Sequence, residues 1–264
     1  MSWWYPQRIQ YMNLLKAISK QSISTEELPD VINKTIQTID NLVGRSSYTA
    51  QCQLFYEFLP SKVNDHHGLR GHLITLCKDN LHSCWVSVQK SGIEELIEVE
   101  RLMGESDPQL PLQRSVLACF CEMTFVYPNT SSSDALVDQS SWLLAAANMA
   151  LYIFLRCDAL MGEDMESAVA NDVLKSLLRT SDGLPKFASK FLIPLRNDLD
   201  TECNRLQANA YALSNDIQKA GDHEQKKQFE ASLMANDATL LRLRLLQVTV
   251  QRLSDCYDKF HIAQ

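Results

Sequence analysis

The chain has 264 residues, of which 45% are hydrophobic and 22% charged, as in folded globular proteins. Glycine and proline number only eight each, which indicates helices and argues against a turn-rich sheet protein. The net charge of −7 argues against binding nucleic acid by bulk attraction. Residues 1–182 carry 14 basic and 22 acidic side chains, whereas residues 183–264 carry 11 and 10. Any polyanion would therefore have to meet a local basic face.

The first predicted helices form an N-terminal group within residues 1–104. Ser24, with Glu27 three residues later, has the pattern of a capping box that starts a helix, and Gly44 ends that helix. Three further helices are predicted to follow, at 48–58, 68–88 and 93–103. The stretch GESDPQLP (104–111) then reads as a linker.

A second helical group is predicted for residues 111–182. Its two main helices, at 112–127 and 134–155, are apolar on nearly all sides, as expected for the centre of a bundle. The longest apolar run, WLLAAANMALYIFL (142–155), has fourteen residues and contains Asn148. Crossing a bilayer takes about 20 apolar residues, so this run is predicted to be a core helix.

The stretch TSDGLPK (180–186) is the predicted boundary of the C-terminal region, 183–264. Two long helices follow, with a break near Gly221 and with Asp222 and Gln225 placed to cap the second. Their apolar residues recur at intervals of three and four, which predicts a helical hairpin. The expected fold is therefore all-α, with two helical sub-bundles followed by a C-terminal hairpin. Residues 1–182 are expected to fold without the rest.

The stretch NDHHGLRGHLITLCKDNLHSC (64–84) raises the question of a metal site, because it holds four histidines and two cysteines. On a helical wheel both cysteines fall in the apolar stripe that would face the core. His72 and His82 are ten residues apart, about 15 Å along a helix, and cannot share a zinc ion whose ligands lie about 2 Å from the metal. The sequence therefore predicts a structural helix, with no metal and no cofactor.

The chain has eight cysteines, and their spacing does not suggest a disulfide framework. The first segment, MSWWYPQRIQ, lacks the apolar region of a secretory signal. Together these features predict reduced thiols in a cytosol-like compartment. No phosphate-binding loop or nucleophile elbow is found in the sequence. The chain is accordingly not expected to be an enzyme.

The segment 44–76 resembles the orthomyxovirus matrix proteins. In that family a helix ends at glycine, a short helix runs to proline, and the next helix opens with G-x-x-G and ends in Thr-Leu. The same spacings occur here without a gap at Gly44, Pro60, Gly68, Gly71, Thr75 and Leu76. The stretch LACFCEMTFVYPNTSSSDALVD (117–138) also resembles a Cys-containing helix and polar turn of the family. The resemblance covers residues 25–160 best, and the C-terminal pair matches in length and helicity.

Two departures distinguish the chain from the influenza branch of the family. The basic cluster that precedes the second sub-bundle there is replaced by the acidic stretch GIEELIEVERLMGESD (92–107). The Cys-Cys-His-His motif is missing, with only Cys157 in that neighbourhood. The chain is thus more similar to a thogotovirus matrix protein, and the departures argue against direct RNA binding and against an import signal at this place.

The resemblance implies a structural protein of the virion that self-associates beneath the envelope. Its partners would be further copies of itself, the inner face of an anionic membrane, and the viral ribonucleoprotein or nucleoprotein, which it would link during assembly and budding. It would lie in the virion, the host cytoplasm, the cytoplasmic face of the plasma membrane and, as in the family, the nucleus. An all-helical adaptor or exchange factor acting on a host GTPase remains as an alternative.

Candidate contacts with membrane or ribonucleoprotein are basic residues of two segments. In the matched block they are Arg45, Lys62 and Arg70, and in the last helix they are Lys226, Lys227, Arg242, Arg244 and Arg252. Each could equally be a solvated surface charge. Arg242 and Arg244 differ by about 200° around a helix and so cannot form one patch.

The pH-responsive candidates are His66, His67, His72 and His82, since histidine gains its charge between about pH 7 and pH 5. Mild acid is expected to change self-association. The sequence leaves the direction open, and the resemblance favours loosening at pH 5.

Overall fold

A computed structural model describes residues 28–44, 51, 54–56, 67–91, 120–127, 133–159 and 186–262. Within these ranges the protein is helical and contains no strand, which confirms the all-α prediction. The long helices are Leu28–Gly44 (α1), His67–Ser91 (α2), Ser133–Ala159 (α3), Ile193–Lys219 (α4) and His223–Ile262 (α5). Short helical stretches lie at 54–56 and 120–124.

The predicted positions of the main helices are confirmed. α1 ends at Gly44, the histidine-rich stretch forms α2, and the longest apolar run lies within α3. The predicted helix 93–103, the linker 104–111 and the capping box at Ser24 lie outside the described residues, as does the predicted boundary 180–186 except for its last residue, Lys186. The division into two sub-bundles and a C-terminal domain therefore stays a prediction.

Helix α3 is the centre of the packing because it contacts α2 on one side and α5 on the other. Its side chains Trp142, Leu143, Ala146 and Met149 are fully or almost fully buried. They join a single hydrophobic core that also includes residues of α1, α2, α4 and α5. Residues 142–155 contain no charged residue, which predicted a core helix. The central position of α3 explains this composition, because both of its sides are covered by other helices.

Helices α2 and α3 approach each other most closely at Gly71. A β-carbon at this position would lie 3.1 Å from the Cα of Trp142 and 3.2 Å from the carbonyl carbon and oxygen of Ser141. These are backbone atoms, so only the absence of a side chain permits the contact. Gly71 is the second glycine of the G-x-x-G pattern, and helix packing is therefore its physical role here.

The predicted C-terminal hairpin is confirmed, with α4 packed along α5. Asp222 caps α5: its Oδ1 accepts the backbone N–H of Glu224 at 3.4 Å, and its carbonyl accepts that of Lys226 at 3.0 Å. Asn236 fixes the register, because its Nδ2 donates to the carbonyl of Leu206 at 3.0 Å while its Oδ1 accepts from Asn209 at 2.9 Å.

The start of α4 is joined to the segment 120–127 by an interaction that the sequence did not predict. A π-helical turn, Ala188–Leu192, precedes Pro194. Because proline has no N–H, it cannot bond to the carbonyl four residues earlier, that of Lys190. That carbonyl instead accepts the backbone N–H of Tyr127 at 3.1 Å. The Tyr127 hydroxyl also donates to Oδ2 of Asp198 at 2.6 Å.

Candidate functional site

Helix α5 has two apolar faces, and only one of them is buried. The inner face contains Leu243, Leu246, Val250 and Leu253, which are at most 1% exposed. On the outer side lie four large apolar side chains, which we call the outer stripe: Met234 (76% exposed), Leu241 (72%), Leu245 (59%) and Val248 (59%). Contiguous apolar surface of this kind usually marks an interaction site.

The outer stripe is straight and continuous along the helix. Its members are separated by seven, four and three residues, so at 100° per residue they fall within about 60° of one another. Ala238 occupies the gap between Met234 and Leu241 on the same side. From Met234 to Val248 the stripe is about 21 Å long at 1.5 Å per residue. This length is enough for a helix-to-helix contact of two heptads.

The basic residues predicted on α5 are all exposed, and they surround the outer stripe. Arg242 and Arg244 lie on its two sides, each about 80° from its centre, and Arg252 continues it toward the C-terminus. Lys226 and Lys227 lie beyond its N-terminal end. Arg242 and Arg244 differ by roughly 200° around the helix and so cannot form one patch. They lie instead on opposite sides of the apolar strip.

Arg244 also acts on the neighbouring helix. Burial raises the pKa of the Cys203 thiol on α4, and the positive charge of Arg244 partly opposes that rise. Arg205, which was not a candidate, binds the buried carboxylate of Glu202 through two hydrogen bonds of 2.8 and 2.6 Å. Arg244 is therefore close enough to α4 for its charge to act there, whereas the Arg205–Glu202 pair lies within α4 itself.

Arg70 is not a surface residue, which corrects its prediction as a membrane or ribonucleoprotein contact. Its side chain is only 6% exposed. The guanidinium lies 4.1 Å from the centre of the Trp142 ring, and its Nη2 donates to the carbonyl of Met123 at 3.1 Å. Burial lowers its pKa to about 10. Arg70 therefore joins α2, α3 and segment 120–127 from inside the protein.

The other candidates of the matched block lie in different surroundings. Arg45, Lys62 and His66 are outside the described residues. His67, half-buried, is the first residue of α2. His72 has a carboxylate partner that the sequence did not reveal, since its Nε2 lies 2.7 Å from Oδ1 of Asp40 on α1.

His82 is exposed, as its position on the helical wheel predicted. Its ring packs edge-on against Tyr152 with centroids 5.7 Å apart, and its Nδ1 lies 3.4 Å from Nη2 of Arg156. His72 and His82 thus make separate contacts with different helices. Of the described residues, His67, His72 and His82 do not form a common site able to hold a metal ion.

The described residues contain no group of three or more His, Cys, Asp or Glu side chains able to hold a metal ion. None of the described helices is long and apolar enough to cross a membrane. A groove of about 250 Å³ between α4 and α5 is lined by both apolar and charged side chains, including Arg196 and Asp200. It is smaller than most small-molecule sites, which exceed about 300 Å³.

The leucines of the outer stripe are visible in the sequence, but the sequence alone does not distinguish them from the leucines that face the core. In the middle of α5, leucines at 240, 241, 243, 245 and 246 cover the whole circumference of the helix. Both faces therefore satisfy spacings of three and four. Only the packing of α3 and α4 against one side shows which leucines are left outside.

Comparisons with models of protein families, with characterised proteins and with solved structures gave no match.

Proposed function

We propose that this protein is a self-associating structural protein of the viral matrix class. It forms a layer beneath an anionic membrane in the virion and links that membrane to the viral ribonucleoprotein during assembly and budding. The observation that carries the proposal is the outer stripe of α5, an exposed apolar strip with Arg242 and Arg244 on its two sides, on a chain of net charge −7. The resemblance of residues 25–160 to the orthomyxovirus matrix proteins supports it.

A structural layer needs surfaces that remain apolar and exposed in the isolated molecule. Such surfaces are costly in solution, because large apolar patches drive association, and soluble monomers usually keep them small. The outer stripe lies opposite the core-facing side of α5, so the fold does not need it for its own stability. Lys226 and Lys227, beyond its N-terminal end, also provide a local attraction for anionic lipid, worth about 1 kcal/mol per residue near the surface.

The test combines sedimentation velocity over a range of protein concentrations with flotation on anionic and on neutral liposomes. Assembly that grows with concentration and flotation only on anionic liposomes are expected. Reversing the charges of Lys226 and Lys227 should weaken flotation, whereas reversing Lys34, which is exposed on α1, should not.

A protein that stays monomeric at every concentration and floats with neither liposome would contradict the proposal. Accelerated nucleotide release from a host GTPase would instead support the alternative of a helical adaptor or exchange factor.

A further inference from the structure

We propose that the outer stripe is covered by the same stripe of a second copy of this chain, with the two α5 helices antiparallel and the two-fold axis close to Leu241. The inference rests on the self-association in the proposed function and specifies the surface that carries it. A two-fold interface requires a surface that is complementary to itself. The residues of α5 have this property.

The outer side of α5 is arranged symmetrically about Leu241. Met234 lies seven residues before Leu241, and Val248 lies seven residues after it. In an antiparallel pair, residues equally far from the axis on opposite sides face each other, so Met234 meets Val248 of the second copy. Leu241 meets its own counterpart at the axis. Met234, Leu241 and Val248 therefore meet large apolar counterparts, whereas Leu245, four residues after Leu241, comes beside the smaller Ala238, three residues before it.

The charges beyond the apolar part have opposite signs at equal distances from the axis. Glu230 lies eleven residues before Leu241, and Arg252 lies eleven residues after it. Lys227 and Asp255 repeat the relationship at fourteen residues, with the signs exchanged. An antiparallel pair thus places Glu230 opposite Arg252, and Lys227 opposite Asp255, at both ends of the contact.

This order of charges distinguishes the antiparallel pair from the other ways of covering the stripe. Parallel helices would place Glu230 beside Glu230 and Arg252 beside Arg252, which is repulsive. An anionic lipid surface would be repelled by Glu230, Asp237 and Asp255, which lie along the same side. Of these three arrangements, only the antiparallel pair places acidic residues of one copy opposite basic residues of the other.

The borders of the stripe give a further pair with the same geometry. Asp237 precedes Leu241 by four residues and Arg244 follows it by three, and both lie on the side of α5 nearer to α4. In an antiparallel two-fold pair, corresponding sides of the two helices face each other. Arg244 therefore comes beside Asp237 of the second copy.

The experiment measures the dimer dissociation constant by sedimentation equilibrium for the full chain, Arg252→Glu, Glu230→Arg and the double variant. Each single change places two like-charged pairs in the dimer and is expected to raise the constant about tenfold or more. The double variant exchanges the charges and should return to within about threefold of the original chain. Within one chain the two residues are about 33 Å apart, so recovery can come only from contact between copies.

Arg242→Glu is the matched control, because it changes the net charge by the same amount on the same helix. Arg242 lies one residue from the axis and comes beside Arg242 of the second copy, so the change replaces one like-charged pair by another. It should leave the dissociation constant nearly unchanged. Leu241→Asp should abolish the dimer, and its thermal unfolding followed by circular dichroism shows whether the monomer is still folded. If Leu241→Asp unfolds, the charge exchange still decides the matter, because it alters only exposed residues.

Two failures have different meanings. A chain that associates normally in all of these variants would overturn the antiparallel pair and leave the proposed function standing through another surface. An original chain that never associates would remove the self-association itself. A third outcome is that Leu241→Asp weakens flotation but leaves the mass distribution unchanged. This would identify lipid as the occupant of the stripe and would also overturn the antiparallel pair.

Discussion

His72 on α2 is held beside Asp40 on α1, with Nε2 2.7 Å from Oδ1. The two side chains are 23% and 47% exposed, so water screens their interaction. We expect Asp40→Asn and His72→Gln to destabilise the fold by no more than about 1 kcal/mol each. A double-mutant cycle measured by urea unfolding should give a coupling of about 0.5 kcal/mol. Additive losses would mean that the pair contributes nothing.

A second prediction concerns the close contact of α2 with α3. Gly71→Ala should destabilise the protein by about 1–2 kcal/mol, because the new methyl group forces two helix backbones apart. The preference of helices for alanine, about 1 kcal/mol, offsets part of this loss. Gly44→Ala is the matched control, since a β-carbon added there would meet nothing within 4 Å. Chemical denaturation of both variants tests the difference, and an equal effect would contradict the packing argument.

These two contacts show what the sequence can and cannot predict. Periodicity predicted the helices because each amphipathic or apolar pattern is written in consecutive residues. The partner of His72 and the atoms beside Gly71 come from segments 32 and about 70 residues away. No local pattern marks such pairs.

Arg70 and Lys190 illustrate the same limit. Arginine is ordinarily a surface residue, so the sequence favoured exposure for Arg70. Its burial depends on the face of Trp142, 72 residues later, and on the carbonyl of Met123. Likewise, Pro194 predicts a missing hydrogen bond at Lys190, but only the folded chain shows that Tyr127 supplies it.

The third prediction uses alkaline pH. Burial, together with the hydrogen bond to Asp198, raises the pKa of Tyr127 above its ordinary value of 10.0. The unfolded chain therefore loses this proton at a lower pH than the folded chain does. The stabilisation is complete below pH 10 and is lost as the pH rises through the higher pKa of the folded state.

Tyr127→Phe should cost about 1 kcal/mol at pH 8, because the hydroxyl is only partly buried. The difference in free energy of unfolding between the original chain and the variant should become smaller above pH 10. Urea unfolding at pH 8, 9 and 10.5 tests this dependence, with Tyr211→Phe as the control because Tyr211 is 74% exposed. If the difference in free energy of unfolding instead grew with pH, the predicted direction of the pH dependence would be wrong.

The fourth prediction concerns the fragment 1–182, which the sequence alone predicts to fold without the rest of the chain. In the structure, Phe187 packs against Phe125 and Phe154, with ring centroids 5.2 and 5.6 Å apart. Phe191 and Tyr257 complete the same aromatic cluster. Cutting the chain at 182 would expose Phe125 and Phe154 to water, at a cost of about 1.5–3 kcal/mol for each fully uncovered ring.

From this packing we expect the fragment to keep helical circular dichroism but to lose a sharp thermal transition. Phe187→Ala in the full chain is a companion test, with an expected loss of about 3–5 kcal/mol. A fragment that unfolds as cooperatively as the full chain would restore the expectation drawn from the sequence.

The last prediction is that self-association loosens between pH 7.4 and pH 5.0. The outer stripe contains no histidine, and the candidates for a change in this range are the histidines of segment 66–82, because histidine in general gains its charge between about pH 7 and pH 5. Their charging reduces the net negative charge, which favours contact, but it also charges any interface that buries them. The resemblance to the matrix family, whose layer releases on entry, favours loosening. Sedimentation velocity at both pH values tests it, together with a variant in which His66, His67 and His72 are glutamine. An identical mass distribution at the two pH values would end the hypothesis, and a shift that survives the triple change would exclude these three histidines as its cause.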